Sequence, residues 1–435
     1  MRSRLLAGAI LVASALIAWL AISAWPVARL LQGAIGLSLL YVGFLAWRGW
    51  RVMRDAHEPQ PFSATRPWVT VLVPAADEAS VIAAVVADLL AQDYADAGQR
   101  RFDVLVLDDG SSDGTGELAR TAAAATPDLV TIRRREPGSG PRTKGAVLAW
   151  AHSQVRGEVV AVIDADSHLP DTFLSRAMAA WSRDPAAAAL QVQRRDANRR
   201  SGWLTAAQDE EQLMDMASQC GRWSTDGTAE LRGNGMLIRR ERLEAVGGWS
   251  PTALTEDLEM STRLTLHGER VALAPEVSVV EQAVESVGAL WRQRMRWAEG
   301  SLRRLIELGP PLVANRALPL GRRLDFIVFI GEFVIPPLFA ASIVASVVTV
   351  VLPRPADWTV PITLFIGYGL GTYLLALAGL AAVGEGSFRL LGRSLRGALF
   401  LSHWLLVVPA ALLRIALWPP TTDFARTARR SMVDR

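Results

Sequence analysis

Apolar residues collect at the two ends of this chain, and that distribution constrains its fold more than any single motif. Leu5–Ala24 and Pro26–Trp47 are apolar runs, each long enough to cross a hydrocarbon core about 30 Å thick. Phe326–Leu352, Trp358–Val383 and Gly397–Trp418 repeat the pattern near the other end. Hydrophobic residues fill 51% of the 435 positions, which is high for a soluble protein. The middle carries little of that excess. A water-soluble domain set between two groups of membrane helices is therefore expected.

The charges suggest an orientation. Arg2 and Arg4 precede the first run, and Arg48, Arg51 and Arg54 follow the second, so the positive-inside tendency puts both outer ends of this hairpin in the cytoplasm. The alternative for the first run is a cleaved signal peptide with Ala21–Ala24 as its small-residue site. Toward the other end, PRPAD (353–357) would link two spans outside and GEGSFRLLGRSLR would be cytoplasmic. The last run contains Pro409 and Arg414 and leads into a tail with Arg426, Arg429, Arg430 and Arg435. Its length favours a fifth span; a helix broken at Pro409 and re-entering on the same side would keep those arginines inside. The net charge is only +3, and Lys144 is the only lysine among 46 basic residues, so no nucleic-acid partner is inferred. Cys220, the sole cysteine, reads as a buried thiol.

The middle alternates. Val69–Pro74, Phe102–Leu107, Val130–Ile132 and Val159–Ile163 are short apolar strands, separated by helical stretches over about 78–92, 117–125 and 144–154. This spacing predicts a parallel sheet covered on both faces, with ligands beyond the carboxyl ends of the strands. Trp203–Cys220, carrying Asp209, Glu210, Glu211 and Asp215, reads as a scaffold helix with a solvated acidic face. Three nucleotide or metal motifs are excluded. GSGPRTKG (138–145) has Thr143 before the lysine and Gly145 after it, unlike a P-loop. A calcium loop counted from Asp109 meets Arg120 at its twelfth position, where a bidentate glutamate is needed. No Gly-rich dinucleotide fingerprint follows the first strand.

Carboxylates remain. Asp108 and Asp109 end the second strand, while Asp164 and Asp166 end the fourth with one residue between them. Residues two apart in extended chain face the same way, and oxygen donors without His or Cys suit Mg²⁺ or Mn²⁺. A D-x-D of this kind also fits a solvated turn with an Asx cap. Gly233-Asn234-Gly235 allows either a close backbone approach to a ligand or a plain tight turn.

Seven stretches then occur in a telling order: WVTVLVPAADEASVIAAVVADLLAQDY, VLVLDDGSSDGT, RTKGAVLAW, VVAVIDADSHLP, LRGNGMLIRR, GGWSPTALTEDLEMSTRL and QRMRW. Together they resemble the membrane-embedded family 2 glycosyltransferases, the group of cellulose, chitin, hyaluronan and poly-N-acetylglucosamine synthases, over about Val69–Trp297. The 35 residues between Asp257 and Gln293 match that family's spacing from its third aspartate to Q-x-x-R-W. The resemblance implies a GT-A-type, Rossmann-like α/β domain in the cytoplasm. It implies that Glu78 and Asp109 contact uridine, that Lys144 lies near the nucleotide, and that Asp164 and Asp166 hold the sugar nucleotide, Asp166 through the metal. Asp257 would be the catalytic base, with Glu256 beside it. Gly233 and Asn234 are grouped with the substrate-binding residues. Gln293, Arg296 and Trp297 would border the acceptor sugar and the diphosphate, although Trp297 also fits simple interfacial packing. One departure is Asp77, where the family usually has Asn.

The chemistry agrees with those roles. Displacing a nucleoside diphosphate needs stabilisation of departing negative charge and removal of a proton from the attacking hydroxyl. One base opposite the leaving group gives inversion. The expected organisation is two membrane helices (1–47), a linker (48–66), the GT-A domain (67–300), interfacial helices (301–323) broken at Pro310–Pro311, two to three further spans (324–418) and a basic tail (419–435). For 301–323 a soluble helix is the alternative. The expected function is inverting transfer from a UDP-sugar to a membrane-proximal acceptor, building a β-linked polysaccharide with accessory export subunits as candidate partners. Transfer of one sugar to diacylglycerol or polyprenyl phosphate is the alternative. A non-catalytic membrane binding protein is a remote one.

Overall fold

The computed structural model describes residues 2–56, 66–352 and 358–419. The polar stretch 57–65, the PRPAD link and the arginine tail lie outside the described residues. In chain order the first helices are α1 (Arg2–Ser23), α2 (Trp25–Asp55), α3 (Ile82–Leu90), α4 (Thr115–Ala122), α5 (Lys144–Ala151), α6 (Phe173–Trp181) and α7 (Trp203–Trp223). They are followed by α8 (Arg240–Ala245), α9 (Glu256–Leu266), α10 (Val287–Ala314), α11 (Leu320–Val351), α12 (Thr359–Ala382), α13 (Ser387–Leu401) and α14 (Trp404–Leu417). Seven strands share one sheet: β1 (Val69–Ala75), β2 (Phe102–Asp108), β3 (Val130–Arg134), β4 (Val159–Val162), β5 (Ala189–Asp196), β6 (Met236–Arg239) and β7 (Val271–Glu281). The chain divides into two compact units, one built on the sheet (Asp55–Asp209 and Ala229–Glu285) and one helical, drawn from Met1–Arg54, Glu210–Thr228 and Ser286–Pro420.

In the sheet unit the strand order is β3-β2-β1-β4-β6-β5-β7. The four expected strands are parallel. β6 is antiparallel to both its neighbours, so the whole sheet is mixed rather than parallel. The central strands bury nearly every side chain, which explains their unbroken Val/Leu runs: helices cover both faces of such strands. Ala75 lies opposite Asp108 and Leu72 opposite Val162, so β1, β2 and β4 end at one edge. The reversed β6 matters there, because Met236 pairs with Val162 and its preceding turn, Gly233–Gly235, arrives at the same edge.

Helix α3 begins at Ile82, four residues later than the sequence suggests. Asp77 adopts φ 56°, and the next N–H groups are taken by the β2–α4 loop. Glu78 N–H donates to Thr115 Oγ1 at 2.8 Å and Ala79 N–H to Asp113 Oδ2 at 3.0 Å. Asp77 Oδ1 accepts from Ser112 N–H at 2.6 Å, so the acceptor oxygen that Asp shares with Asn is in use.

Among the described residues, five helical stretches are long and apolar enough to cross a membrane: Ser3–Ser23, Trp25–Asp55, Leu320–Val351, Thr359–Ala382 and Ser387–Leu417. The last is interrupted between α13 and α14, at Ser402–His403. Pro409 lies inside α14 and is not the break. Helix α10 likewise continues through Pro310–Pro311 to Ala314. Proline's fixed φ is itself helical, so the backbone keeps its course although two N–H donors are missing from the last turns. Two backbones meet closely: a Cβ on Gly49 would collide with the Ala217 carbonyl, and one on Gly221 with the Leu45 carbonyl. Small residues thus let α2 and α7 approach backbone to backbone.

Candidate active site

Lys144 gathers the sheet unit's acidic residues. It opens α5, whose first turn is capped by Thr143 Oγ1 accepting from Ala146 N–H at 3.0 Å. Its ammonium is bonded to Asp164, donates to the Gly233 carbonyl at 2.6 Å, and lies 3.8 Å from Glu256 Oε1. Burial alone would push this amine down, but Asp164 and Glu256 outweigh it and raise its pKa. Gly145 follows because a Cβ there would strike the Ser250 carbonyl. Four segments distant in sequence are therefore joined through one cation.

Glu256 and Asp257 occupy the first turn of α9, where the helix dipole favours negative charge. Both are buried. Burial pushes Glu256 up from its ordinary 4.5 to about 7, against the opposing pull of Lys144, while the adjacent Asp257 adds to the rise. Burial likewise raises Asp257, although Leu258 N–H donates to its Oδ1 at 2.8 Å and Lys144, Arg232 and Arg194 favour its charge. A raised pKa makes a carboxylate a better proton acceptor. Gly233, at φ 79°, faces it: a Cβ would lie 3.1 Å from Asp257 Oδ2.

Asn234 is buried behind the D-x-D turn. Its amide oxygen accepts from Asp164 N–H and Ser167 Oγ, both at 3.1 Å, and its nitrogen donates to Glu281 Oε2 at 2.8 Å. Glu281 is in turn gripped by Arg194. The turn carrying Asp164 and Asp166 is thus anchored to β7, with Asp166 buried and the Asp164 side chain one-third exposed.

At the β2 end the two aspartates differ. Asp108 is fully buried, accepting from Ser111 N–H at 2.8 Å and pairing with Arg134 at 2.9 Å. Asp109 accepts from Arg135 Nε at 2.6 Å. Glu78 stands on the loop after β1, tied by its N–H to Thr115. Sequence reasoning missed Arg135, Glu281 and Gln191. Gln191 Oε1 accepts from Arg232 N–H at 2.7 Å and its Nε2 donates to the Asn234 carbonyl at 2.8 Å, holding the Gly233 turn from within β5. The available signal was a polar residue inside an otherwise apolar strand, which must find a partner when buried.

Among the described residues no group of three or more His, Cys, Asp or Glu is placed to hold a metal ion. Asp166 with Asp164 remains suited to a hard cation, because Mg²⁺-type ions take one or two carboxylates and complete their shell with substrate phosphates and water.

Gln293, Arg296 and Trp297 belong to α10, in the helical unit. Gln293 Oε1 is buried with no hydrogen-bond partner among the described residues. Trp297 lies beneath the Arg294 guanidinium, 4.3 Å from ring centroid to Cζ. The expected solvated acidic face of α7 is corrected here. In the sheet unit Asp209 is fully buried on Arg195. In the helical unit Glu210 is fully buried on Arg393 and Arg396, and Glu211 pairs with Arg294. A polar stretch in sequence can equally be a buried ion-pair seam.

Known proteins bear on this arrangement. At 31% identity the chain is similar to the beta-monoglucosyldiacylglycerol synthase of Synechocystis sp., over 88% of this chain and 81% of that protein. It is 26% identical to the poly-beta-1,6-N-acetyl-D-glucosamine synthase of Staphylococcus aureus over 53% of this chain and 54% of that one. Among solved structures it resembles a mannosyltransferase from Pyrobaculum calidifontis, in complex with GDP-Man and Mn²⁺, with TM-score 0.60 and 21% identity over 88% of this chain and 98% of that one. That likeness shows the GT-A fold. Residues 66–300, which contain the whole acidic edge gathered by Lys144, match the family described as "Glycosyltransferase like family 2". The chain belongs to the family 2 glycosyltransferases.

Proposed function

We propose that the protein transfers one glucose, with inversion, from UDP-glucose to diacylglycerol at the cytoplasmic face of a membrane that it crosses several times. The observation that carries this reading is the reach of the likeness to the beta-monoglucosyldiacylglycerol synthase, over 88% of the chain, well beyond the residues of the family match. The arginines Arg48, Arg51 and Arg54 closing the second apolar run support the cytoplasmic side. In this reading Asp257 accepts the proton of the attacking hydroxyl, and Glu256, neutral for part of its time near pH 7, limits repulsion beside it. Glu78 and Asp109 hold the uridine. Asp166, aided by Asp164, would hold a divalent cation, which supplies charge stabilisation for the departing diphosphate. Lys144, already against Asp164, is the nearest amine for the same charge. Gly233 and Asn234 shape and brace that edge. Gln293, Arg296 and Trp297 face the acceptor.

A second reading, polymer synthesis with export partners, draws on the Q-x-x-R-W spacing. One experiment separates them: membranes containing the protein are incubated with labelled UDP-glucose, UDP-N-acetylglucosamine or UDP-galactose, and products are split into chloroform-soluble and high-mass fractions. Label from UDP-glucose in a lipid that base converts to glycosylglycerol is expected. Label confined to high-mass material would favour the polymer, and no incorporation from any donor would overturn both.

A further inference from the structure

We propose that Arg294 is a positioning residue for the acceptor: it fixes the Trp297 ring, and Glu211 fixes Arg294. The proposal rests on the reading that Trp297 borders the acceptor, and it deepens that reading. Arg294 is the second residue of QRMRW and only 2% exposed. Its guanidinium edge engages Glu211 through Nη1 at 3.2 Å and Nη2 at 2.5 Å. Its face covers Trp297 at 4.3 Å, with Trp404 at 5.7 Å and Phe400 at 5.8 Å completing an aromatic surround. Trp404 Nε1 donates at 3.3 Å to Glu211 Oε1, the oxygen that accepts from Arg294 Nη1.

Geometry explains why arginine is used. A planar guanidinium can bond a carboxylate along its edge while stacking on a ring through its face; an ammonium can do only one of these. Residues three apart on a helix share a side, so Arg294 meets Trp297 without distorting α10. Glu211 cannot drift, since α7 is also fastened at the neighbouring Glu210 by Arg393 and Arg396 of α13. A ring held in one orientation before the acceptor arrives loses less freedom on binding. The benefit should therefore appear in acceptor affinity rather than in donor handling.

The test is a double-mutant cycle in the full chain, purified in detergent, with saturating UDP-glucose and titrated dioctanoylglycerol. Trp297→Ala is expected to raise the acceptor KM. Arg294→Met should raise it about tenfold in the unaltered chain but less than about twofold in the Trp297→Ala background, because coupled residues are non-additive. The KM for UDP-glucose should stay within about twofold throughout, a split that distinguishes loss of acceptor binding from general damage. If Arg294→Met fails to fold, Arg294→Lys enters the same cycle; it keeps the charge, loses the stacked plane, and should show the same dependence on Trp297. An Arg294 effect of equal size in both backgrounds would overturn the positioning role alone. An unchanged acceptor KM in Trp297→Ala would overturn the acceptor reading and this role with it.

Discussion

Arg135 Nε lies 2.6 Å from Asp109 Oδ1, in an ion pair almost closed to water on both sides. Arg135 also donates to the Pro141 carbonyl at 2.8 Å, so it ties the end of β2 to the loop before α5. Replacing it with Met leaves Asp109 buried without its cation. Arg135→Met is expected to destabilise the sheet unit by about 3–5 kcal/mol, the usual cost of breaking a buried pair from one side. Chemical denaturation of the full chain checks this, and UDP binding by calorimetry should weaken in parallel.

Asp257→Asn removes a proton acceptor while keeping shape and one hydrogen-bonding oxygen. Transfer is expected to fall by about 10²–10⁴-fold, the range for a general base. Donor affinity, measured by UDP-glucose displacement, should change little. Transfer at the unaltered rate would exclude the role.

Glu256 gives the fold a pH dependence whose sign is fixed. Its pKa in the folded chain is raised by burial, from 4.5 to about 7; a carboxyl of this kind contributes stability fully present below its unfolded pKa and lost as pH rises through the folded one. Asp257, also raised, acts in the same direction. The melting temperature should therefore decline between about pH 4.5 and 7, and Glu256→Gln should flatten much of that slope. A melting temperature rising over this window in the unaltered chain, and insensitive to Glu256→Gln, would count against the assignment.

Gly233 combines a left-handed backbone with a close approach to Asp257. An alanine there pays about 1 kcal/mol for the positive φ and places a methyl 3.1 Å from Asp257 Oδ2. Gly233→Ala should lower kcat more than it lowers the melting temperature of the sheet unit, which differential scanning and rate measurements on one preparation would decide.

The sheet was legible because its strands are buried on both faces and so read as unbroken β-branched runs, Val69–Pro74 above all. The strands β5, β6 and β7 escaped, and with them the reversal of β6, since β5 turns polar from Gln191 and β7 is interrupted by Pro275, so neither reads as an unbroken apolar run. The edge carboxylates were legible as residue types at strand ends. Their braces were not: Arg135, Gln191 and Glu281 act through contacts 26 to 47 residues or more away in sequence, which no local pattern records. The same blindness made the acidic run of α7 look solvated, because composition cannot tell a carboxylate in water from one enclosed by arginines.

Lys144 has a practical consequence. It is the only lysine in 435 residues, and its ammonium is engaged by Asp164 and the Gly233 carbonyl. An acylating reagent directed at side-chain amines therefore has one address on this protein, and that address lies at the acidic edge. Its rate of modification, read by mass on the peptide that contains Lys144, becomes a gauge of whether that edge is occupied, closed or opened by any variant described above.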